Sequence, residues 1–313
     1  MLGRVIRMTK NFFTDPAIRF YYLKKLGLTR IVSDEKFLQK EFALTMGYPL
    51  HLRSPKTFNE KIQWIKLYDR NPVYTELVDK YEVRKHIAAK YGESFLIPLV
   101  GGPWDSFDEI DFAKLPEQFV LKCTHDSGGL VICTDKSRLD LAAAKAKIEA
   151  SLKENFFWVH REWPYKNVKP RIIAEAYMDD ENAAEGLTDY KFFCFGGEPK
   201  LLYISRGLSD HSTASISFYD LDGNRMPFRR SDYRPIDGEL VLPANFDEMK
   251  TIAAELAKTV GCAFVRIDLY SIRGSIYFSE VTFSPCAGML PFEPTEWDRK
   301  LGDWIDLPTD GRA

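Results

Sequence analysis

The chain has 313 residues, 45% of them hydrophobic, with 43 Lys+Arg against 45 Asp+Glu. This describes a globular protein with a substantial core and excludes a disordered chain, while the net charge of −2 excludes a molecule-wide field that would gather nucleic acid. No apolar run approaches the ~20 residues of a membrane span, and charged residues interrupt every apolar stretch of the first thirty, so no secretory leader is expected.

Residues 1–30 carry seven basic residues and one acid, with Phe12, Phe13, Phe20, Tyr21 and Tyr22 interleaved. A basic, aromatic, helical segment can lie on an anionic membrane surface. The alternative is that its aromatics pack on the body and its cations form a solvated face. Amphipathic helices follow over 34–46 and 57–69, and Thr57 and Asn59 can cap the second ahead of Ile62, Ile65 and Leu67. The pattern predicts one further helix over 75–91, stopped at Gly92, then a Pro- and Gly-rich strand and loop over 96–116.

From residue 119 the texture is β. FVLKCT and LVICTD read as a hairpin about Ser127-Gly128-Gly129. A helix over 138–154 and a strand over 171–178 come next, then a polar loop over 179–188. YKFFCF and KLLYIS form a hairpin across GGEP, and SISFYD with its DGN turn extends the meander. A helix over 246–260 precedes CAFVRIDLY and SIYFSEVTF, which close across Arg273-Gly274. Helices, then β–α–β, then an antiparallel meander give an α+β fold of two lobes.

Cys123, Cys133, Cys194, Cys262 and Cys286 form no CxxC pair, and four lie in strand-like segments, which predicts reduced thiols in the cytoplasm. No two histidines stand at i, i+4, and no GxSxG elbow, P-loop or strand-linked GxGxxG is present.

Three constellations carry chemistry. Lys122 on a strand leads into Ser127-Gly128-Gly129, where glycines let backbone N–H groups approach an anion and the Lys adds a point charge; a plain turn is the competing reading. Arg266 and Asp268 share one strand face, and Glu280 and Thr282 share a face of the next. Two carboxylates held in an apolar hairpin require a cation, and oxygen ligands favour Mg²⁺ or Mn²⁺; a surface ladder with an Arg266–Asp268 ion pair is the alternative. Finally, the strand ending in Glu175-Ala176-Tyr177-Met178 meets an exposed linker able to receive a flat heterocycle. Beyond it, Asp189 can accept from ribose hydroxyls and Lys191 can reach phosphate, although for this segment alone a buried strand is the better reading.

Taken together with TFNEKIQWIKLYDRNP, LVDKYEVR, FVLKCTHDSGG, RIIAEAYM, DYKFFCF, FVRIDLY, IYFSEVTFSP and EWDRKLGDWIDL, the chain from about 55 to 306 resembles the ATP-grasp superfamily, and within it the teichuronopeptide-biosynthesis (TupA-like) branch. The resemblance implies an ATP-grasp α+β fold, with two lobes clasping ATP: a helical extension over 1–70, a first lobe over 71–178 and a second over 179–313. It implies Lys80 and Lys122 on the ATP phosphates, Ser127, Gly128 and Gly129 as a flap, and Glu175 to Met178 as the adenine hinge. Asp189 takes the ribose role, Asp268 and Glu280 the Mg²⁺ ligand role, and Arg266 steadies the transferring phosphoryl group with Lys191 beside it. Thr282 stands where many members have Asn, and offers one oxygen to a second metal. The implied activity is a carboxylate–amine ligase acting on a uronic acid or amino acid of a surface polysaccharide, with an acidic glycan or sugar nucleotide among its partners. A phosphotransferase on the same fold and a non-catalytic scaffold of a polysaccharide assembly are the rivals. Arg206, Arg225, Arg229, Arg230 and Arg234 form a basic cluster suited to a carboxylate or to a solvated loop.

Overall fold

A computed structural model describes residues 14–179, 187–207 and 214–308. Residues 1–13 of the basic segment and most of the polar loop over 179–188 lie outside the described residues.

Helix α1, Pro16–Lys25, starts where the Asp15 carboxylate accepts from the N–H groups of Ala17 and Ile18. Helix α2 spans Asp34–Met46 and stops at Gly47, whose φ of 79° is left-handed and costs glycine little. Helix α3 spans Phe58–Tyr68 and opens with a full capping box between Thr57 and Glu60. Asn59 does not cap it. Its amide instead bonds both the N–H and the carbonyl of Leu290, tying α3 to the far end of the chain.

The single helix expected over 75–91 is two helices, α4 at Val73–Val78 and α5 at Val83–Tyr91. Asp79 breaks the pattern. Its carboxylate accepts from the N–H groups of Tyr81 and Glu82 and pairs with Arg171 at 2.8 Å, so the backbone finds a partner outside the helix ladder. The break carries Lys80 toward the first sheet, where its N–H bonds the Thr124 carbonyl at 3.0 Å.

The first sheet is antiparallel throughout, with β1 (Leu99–Trp104), β2 (Phe119–Cys123), β3 (Leu130–Cys133) and β4 (Ile172–Ala176) in the order β1-β4-β2-β3. Helix α6, Leu141–Leu152, covers one face, packing Ala144 and Ile148 with Phe119, Leu121 and Cys123. The one-turn helix α7, Phe157–His160, follows it.

The second sheet is also antiparallel. It contains β5 (Asp189–Phe195), β6 (Glu198–Arg206), β7 (Ser215–Tyr219), β9 (Phe264–Ile272) and β10 (Ser275–Thr282), ordered β10-β9-β5-β6-β7. Between them in sequence, β8 (Arg229–Arg230) pairs with the later β11 (Phe292–Glu293).

Alternation decides what each face of this sheet meets. Phe192, Cys194, Val265, Ile267 and Leu269 pack in one core with the apolar stripe of helix α8, Phe246–Val260. On the opposite face Phe193, Phe195 and Phe264 pack under α2, α3 and helix α9, Glu296–Gly302, around Phe58, whose ring centroid lies 4.9 Å from that of Phe264. Further along the strands, that same face changes from aromatic to charged, presenting Asp189, Lys191, Arg266 and Asp268. This switch places a polar site at the end of a hydrophobic layer.

Candidate active site

A cavity of about 690 Å³ opens between the two sheets. The first sheet contributes Lys122 from β2, Leu130 and Ile132 from β3, and Glu175 with Ala176, Tyr177 and Met178 from the end of β4. The second contributes Asp189 and Lys191 from β5, Tyr270 from β9 and Glu280 from β10, while Lys80 and the Ser127–Gly129 turn close one side. Twelve of the fifteen expected site residues therefore meet around one space: Lys80, Lys122, Ser127, Gly128, Gly129, Glu175, Ala176, Tyr177, Met178, Asp189, Lys191 and Glu280. Arg266, Asp268 and Thr282 stand behind Glu280.

The glycine turn is more rigid on one side than its composition implies. The Gly129 N–H donates to the Asp126 carboxylate at 3.0 Å, and the Ser151 hydroxyl donates to that carboxylate as well. A Cβ on Gly129 would lie 2.4 Å from the Ser151 Oγ and 2.6 Å from Cys123, whereas a Cβ on Gly128 would meet nothing within 4 Å. Gly129 is thus required by packing, and its N–H already has a partner. The exposed tip, Ser127 and Gly128, is the part that can meet a ligand. The Lys80 ammonium donates to the Asp126 carbonyl at the base of this turn.

Glu175 is buried, and its carboxylate pairs with the Lys122 Nζ at 2.5 Å and with Arg84 at 3.4 Å. Arg84 also donates to the Ile97 carbonyl at 2.9 Å. The Ala176 N–H is spent on the Pro98 carbonyl at 2.8 Å, so this edge of the hinge presents the chain beyond Ala176 to the cavity.

The charged cluster is built by strand register. Lys191 lies opposite Asp268, Glu280 opposite Asp268, and Thr282 opposite Arg266, with a bulge between Phe278 and Glu280. Arg266 grips Asp268 through Nε and Nη2 at 2.7 and 2.6 Å, and Nη2 also reaches Glu280 Oε1 at 2.9 Å and Thr282 Oγ1 at 3.0 Å. Its Nη1 donates to the Tyr203 hydroxyl at 3.1 Å. The Lys191 Nζ donates to Asp268 Oδ2 at 2.8 Å and lies 3.3 Å from Asp189.

The cation that the two carboxylates require is supplied in part by the protein: Arg266 pairs with both Asp268 and Glu280, and Lys191 pairs with Asp268. The Arg266–Asp268 ion pair of the alternative reading is present, but its surface ladder is corrected, since Asp268 is fully buried and Arg266 nearly so. Burial opposes the charge on Glu280, but Arg266, Lys191 and Lys80 outweigh it and hold its pKa down to about 2. Burial likewise works against Lys191, yet Asp189 and Asp268 raise its pKa well above the usual lysine value. For Asp268, burial prevails over Arg266 and Lys191 and raises its pKa.

A metal ion fits this donor set unevenly. The Glu280 side chain is 35% exposed and borders the cavity. Asp268 is closed off, with both oxygens occupied by Arg266 and Lys191. Among the described residues, no group of three or more His, Cys, Asp or Glu side chains is arranged to hold a metal alone.

The family model described as TupA-like ATPgrasp matches residues 60–306. The chain belongs to the TupA-like ATP-grasp family. No curated protein matches it. Solved structures similar to this TupA-like chain include D-alanine–D-alanine ligase from Bacillus anthracis complexed with ATP, 16% identical, with a TM-score of 0.42 over 68% of this chain and 57% of that one. L-amino acid ligase from Bacillus licheniformis is 15% identical, with a TM-score of 0.42 over 82% of this chain and 57% of that one. D-alanine–D-alanine ligase from Helicobacter pylori is 12% identical, with a TM-score of 0.41 over 80% of this chain and 69% of that one. The TupA-like chain thus spans 57% of the length of each of the two Bacillus ligases.

Several residues of the TupA-like site carry no distinctive sequence signal. Asp126 had one: Asp-x-x-Gly is the pattern of a side chain that bonds a backbone N–H three residues on. Arg84 lies in the first turn of α5, just past the break that carries Lys80, and nothing in the local sequence marks it as a partner of Glu175. Glu162 and Lys66 form a deeper layer, both buried. Burial lifts Glu162 to about 7 despite Lys66 and Arg266, and lowers Lys66 to about 8 despite Glu162 and Glu41. The Lys66 Nζ donates to Gln63 Oε1 at 2.8 Å and to the Ala287 carbonyl at 3.0 Å. Nothing in the local sequence marks Glu162, whose neighbours come from distant segments.

Proposed function

We propose that this chain is an ATP-dependent carboxylate–amine ligase. The observation that carries the reading is one cavity with Lys80, Lys122 and a glycine turn on one side and, on the other, Lys191 and Glu280, the latter braced from behind by Arg266. Family membership supports ATP as the nucleotide. In this reading Lys80, Lys122 and the Ser127–Gly128 tip hold the phosphates, the chain from Ala176 to Met178 faces the adenine, and Asp189 accepts from the ribose.

The carboxylate oxygen of the first substrate attacks the γ-phosphorus, giving an acyl phosphate and ADP. The amine of the second attacks the acyl carbon, phosphate departs and a proton is lost, leaving an amide. No protein nucleophile is needed, and catalysis rests on positioning and on fixed charge. Glu280 is the residue best placed to hold Mg²⁺ or Mn²⁺, while Asp268 would join only if Arg266 and Lys191 released its Oδ2; such an ion would offset phosphate charge. Arg266 acts as the strut that keeps Glu280, Asp268 and Thr282 in register, and Lys191 presents its ammonium to the phosphate end.

The substrate class we assign is a uronic-acid or amino-acid carboxylate of a bacterial surface polysaccharide, such as a capsule or O-antigen, modified in the cytoplasm. An acidic glycan or sugar nucleotide is the form in which such a carboxylate is presented. The test is ADP release across candidate carboxylates with hydroxylamine as the amine. A ligase yields a hydroxamate; ADP release with a phosphorylated hydroxyl product instead establishes a kinase.

A further inference from the structure

Among the described residues, more than half of the exposed large apolar side chains come from one short stretch of chain. Tyr21, Leu26, Leu28, Ile31 and Val32 are five of the nine large apolar side chains exposed among the described residues, with Leu26 at 70% and Ile31 at 92% exposure. Clustered apolar surface of this kind marks an interaction site.

The body holds this ridge from behind. The Phe20 ring lies 5.3 Å from Phe37, and the Lys24 ammonium pairs with Glu41, so these two residues face inward. The buried Arg161 donates to the Thr29 carbonyl at 2.8 Å and stacks 4.5 Å from the Phe37 ring. The turn between α1 and α2 is therefore fixed with its apolar side chains outward. Of the two readings of the segment, packing on the body holds for Phe20, whereas Tyr21 is exposed; Phe12 and Phe13 lie outside the described residues.

Charge selects the partner. Arg19, Lys25 and Arg30 are exposed around the ridge, and no acidic residue occurs from Pro16 to Val32. A second copy of this chain offering the same face would oppose cation to cation. A surface that is apolar below and anionic above satisfies both halves of the pattern. We infer that the ridge from Tyr21 to Val32 seats this protein on an anionic lipid bilayer, with Leu26, Leu28 and Ile31 entering the headgroup boundary. The inference does not depend on the ligase reading.

The test is flotation of the full chain with phosphatidylcholine vesicles, with and without phosphatidylglycerol, at low and high salt. The chain is expected to bind the phosphatidylglycerol vesicles at low salt and to lose most of that binding at high salt. Leu26→Gln with Ile31→Gln should weaken partitioning by at least about ten-fold. Arg19→Glu with Lys25→Glu should abolish the preference for the anionic lipid. Unchanged thermal unfolding shows that both double variants are folded. Failure of the intact chain to bind anionic vesicles at low salt overturns the inference, as does full binding by the apolar variant. Self-association that the apolar variant abolishes, in a chain that ignores vesicles, would assign the ridge to a second copy instead.

Discussion

Lys122 and Glu175 illustrate how a single ion pair prepares a site. The pair keeps the lysine ordered at the cavity wall, while Arg84 gives Glu175 a second cation to fall back on. Removing the lysine therefore does not strand a buried carboxylate. Lys122→Ala should stay folded and weaken ADP and ATP-analogue binding about ten- to a hundred-fold, since a charge-assisted contact is worth ~1.5–3 kcal/mol. Calorimetry with both nucleotides measures this, and wild-type affinity in the variant would remove Lys122 from the phosphate site.

Glu162 makes a different residue-scale prediction. Its folded pKa, about 7, lies above the ordinary carboxylate value because burial disfavours its charge. The sign follows: its contribution is fully present at pH below 4.5, the ordinary value, and is lost as pH rises through about 7. Urea midpoints of the wild type should therefore decline between these pH values, and Glu162→Gln should flatten that decline. Parallel curves for the two proteins would show that Glu162 does not titrate there.

Among the elements, the glycine turn separates two roles that look identical in sequence. Gly129 has no room for a methyl group and Gly128 has open space. Gly129→Ala should cost ~1–3 kcal/mol of stability through overpacking. Gly128→Ala should leave stability within about 0.5 kcal/mol. Denaturant unfolding distinguishes the two, and equal effects would contradict the packing described.

Elements with strong local signals were legible from sequence. The helices over 34–46 and 246–260 fall where the amphipathic pattern put them, and the β2–β3 and β9–β10 hairpins close where the turns said. The helix over 75–91 was misread because Asp79 diverts backbone donors to its own carboxylate, a local competition that periodicity does not register. The convergence of Arg266, Asp268, Glu280 and Thr282 follows from side chains two apart sharing a strand face. Their neutralisation by Lys191 was not legible, because β5 and β9 pair across 77 residues of chain. Glu162 and Lys66 escaped notice for the same reason: they become neighbours of the site only when tertiary packing delivers them.

At the scale of the whole molecule, the aromatic layer under α2, α3 and α9 continues into the charged end of the second sheet. Phe58 sits at its centre, fully buried against Phe193, Phe195, Phe264 and Phe292. Phe58→Ala should cost ~3–5 kcal/mol. The loss should be visible as a lower urea midpoint, and an undiminished midpoint would show that α3 is not part of the same cooperative unit.

In the proposed function the cavity between the sheets is a metal-assisted nucleotide site. The direct measurement is calorimetric titration of the full chain with a non-hydrolysable ATP analogue, with Mg²⁺ and with EDTA, in the wild type and in Glu280→Gln. One nucleotide per chain is expected, bound more tightly with Mg²⁺, with the Mg²⁺ enhancement lost in the variant. Absence of nucleotide binding, or an enhancement that survives Glu280→Gln, would contradict the proposed function.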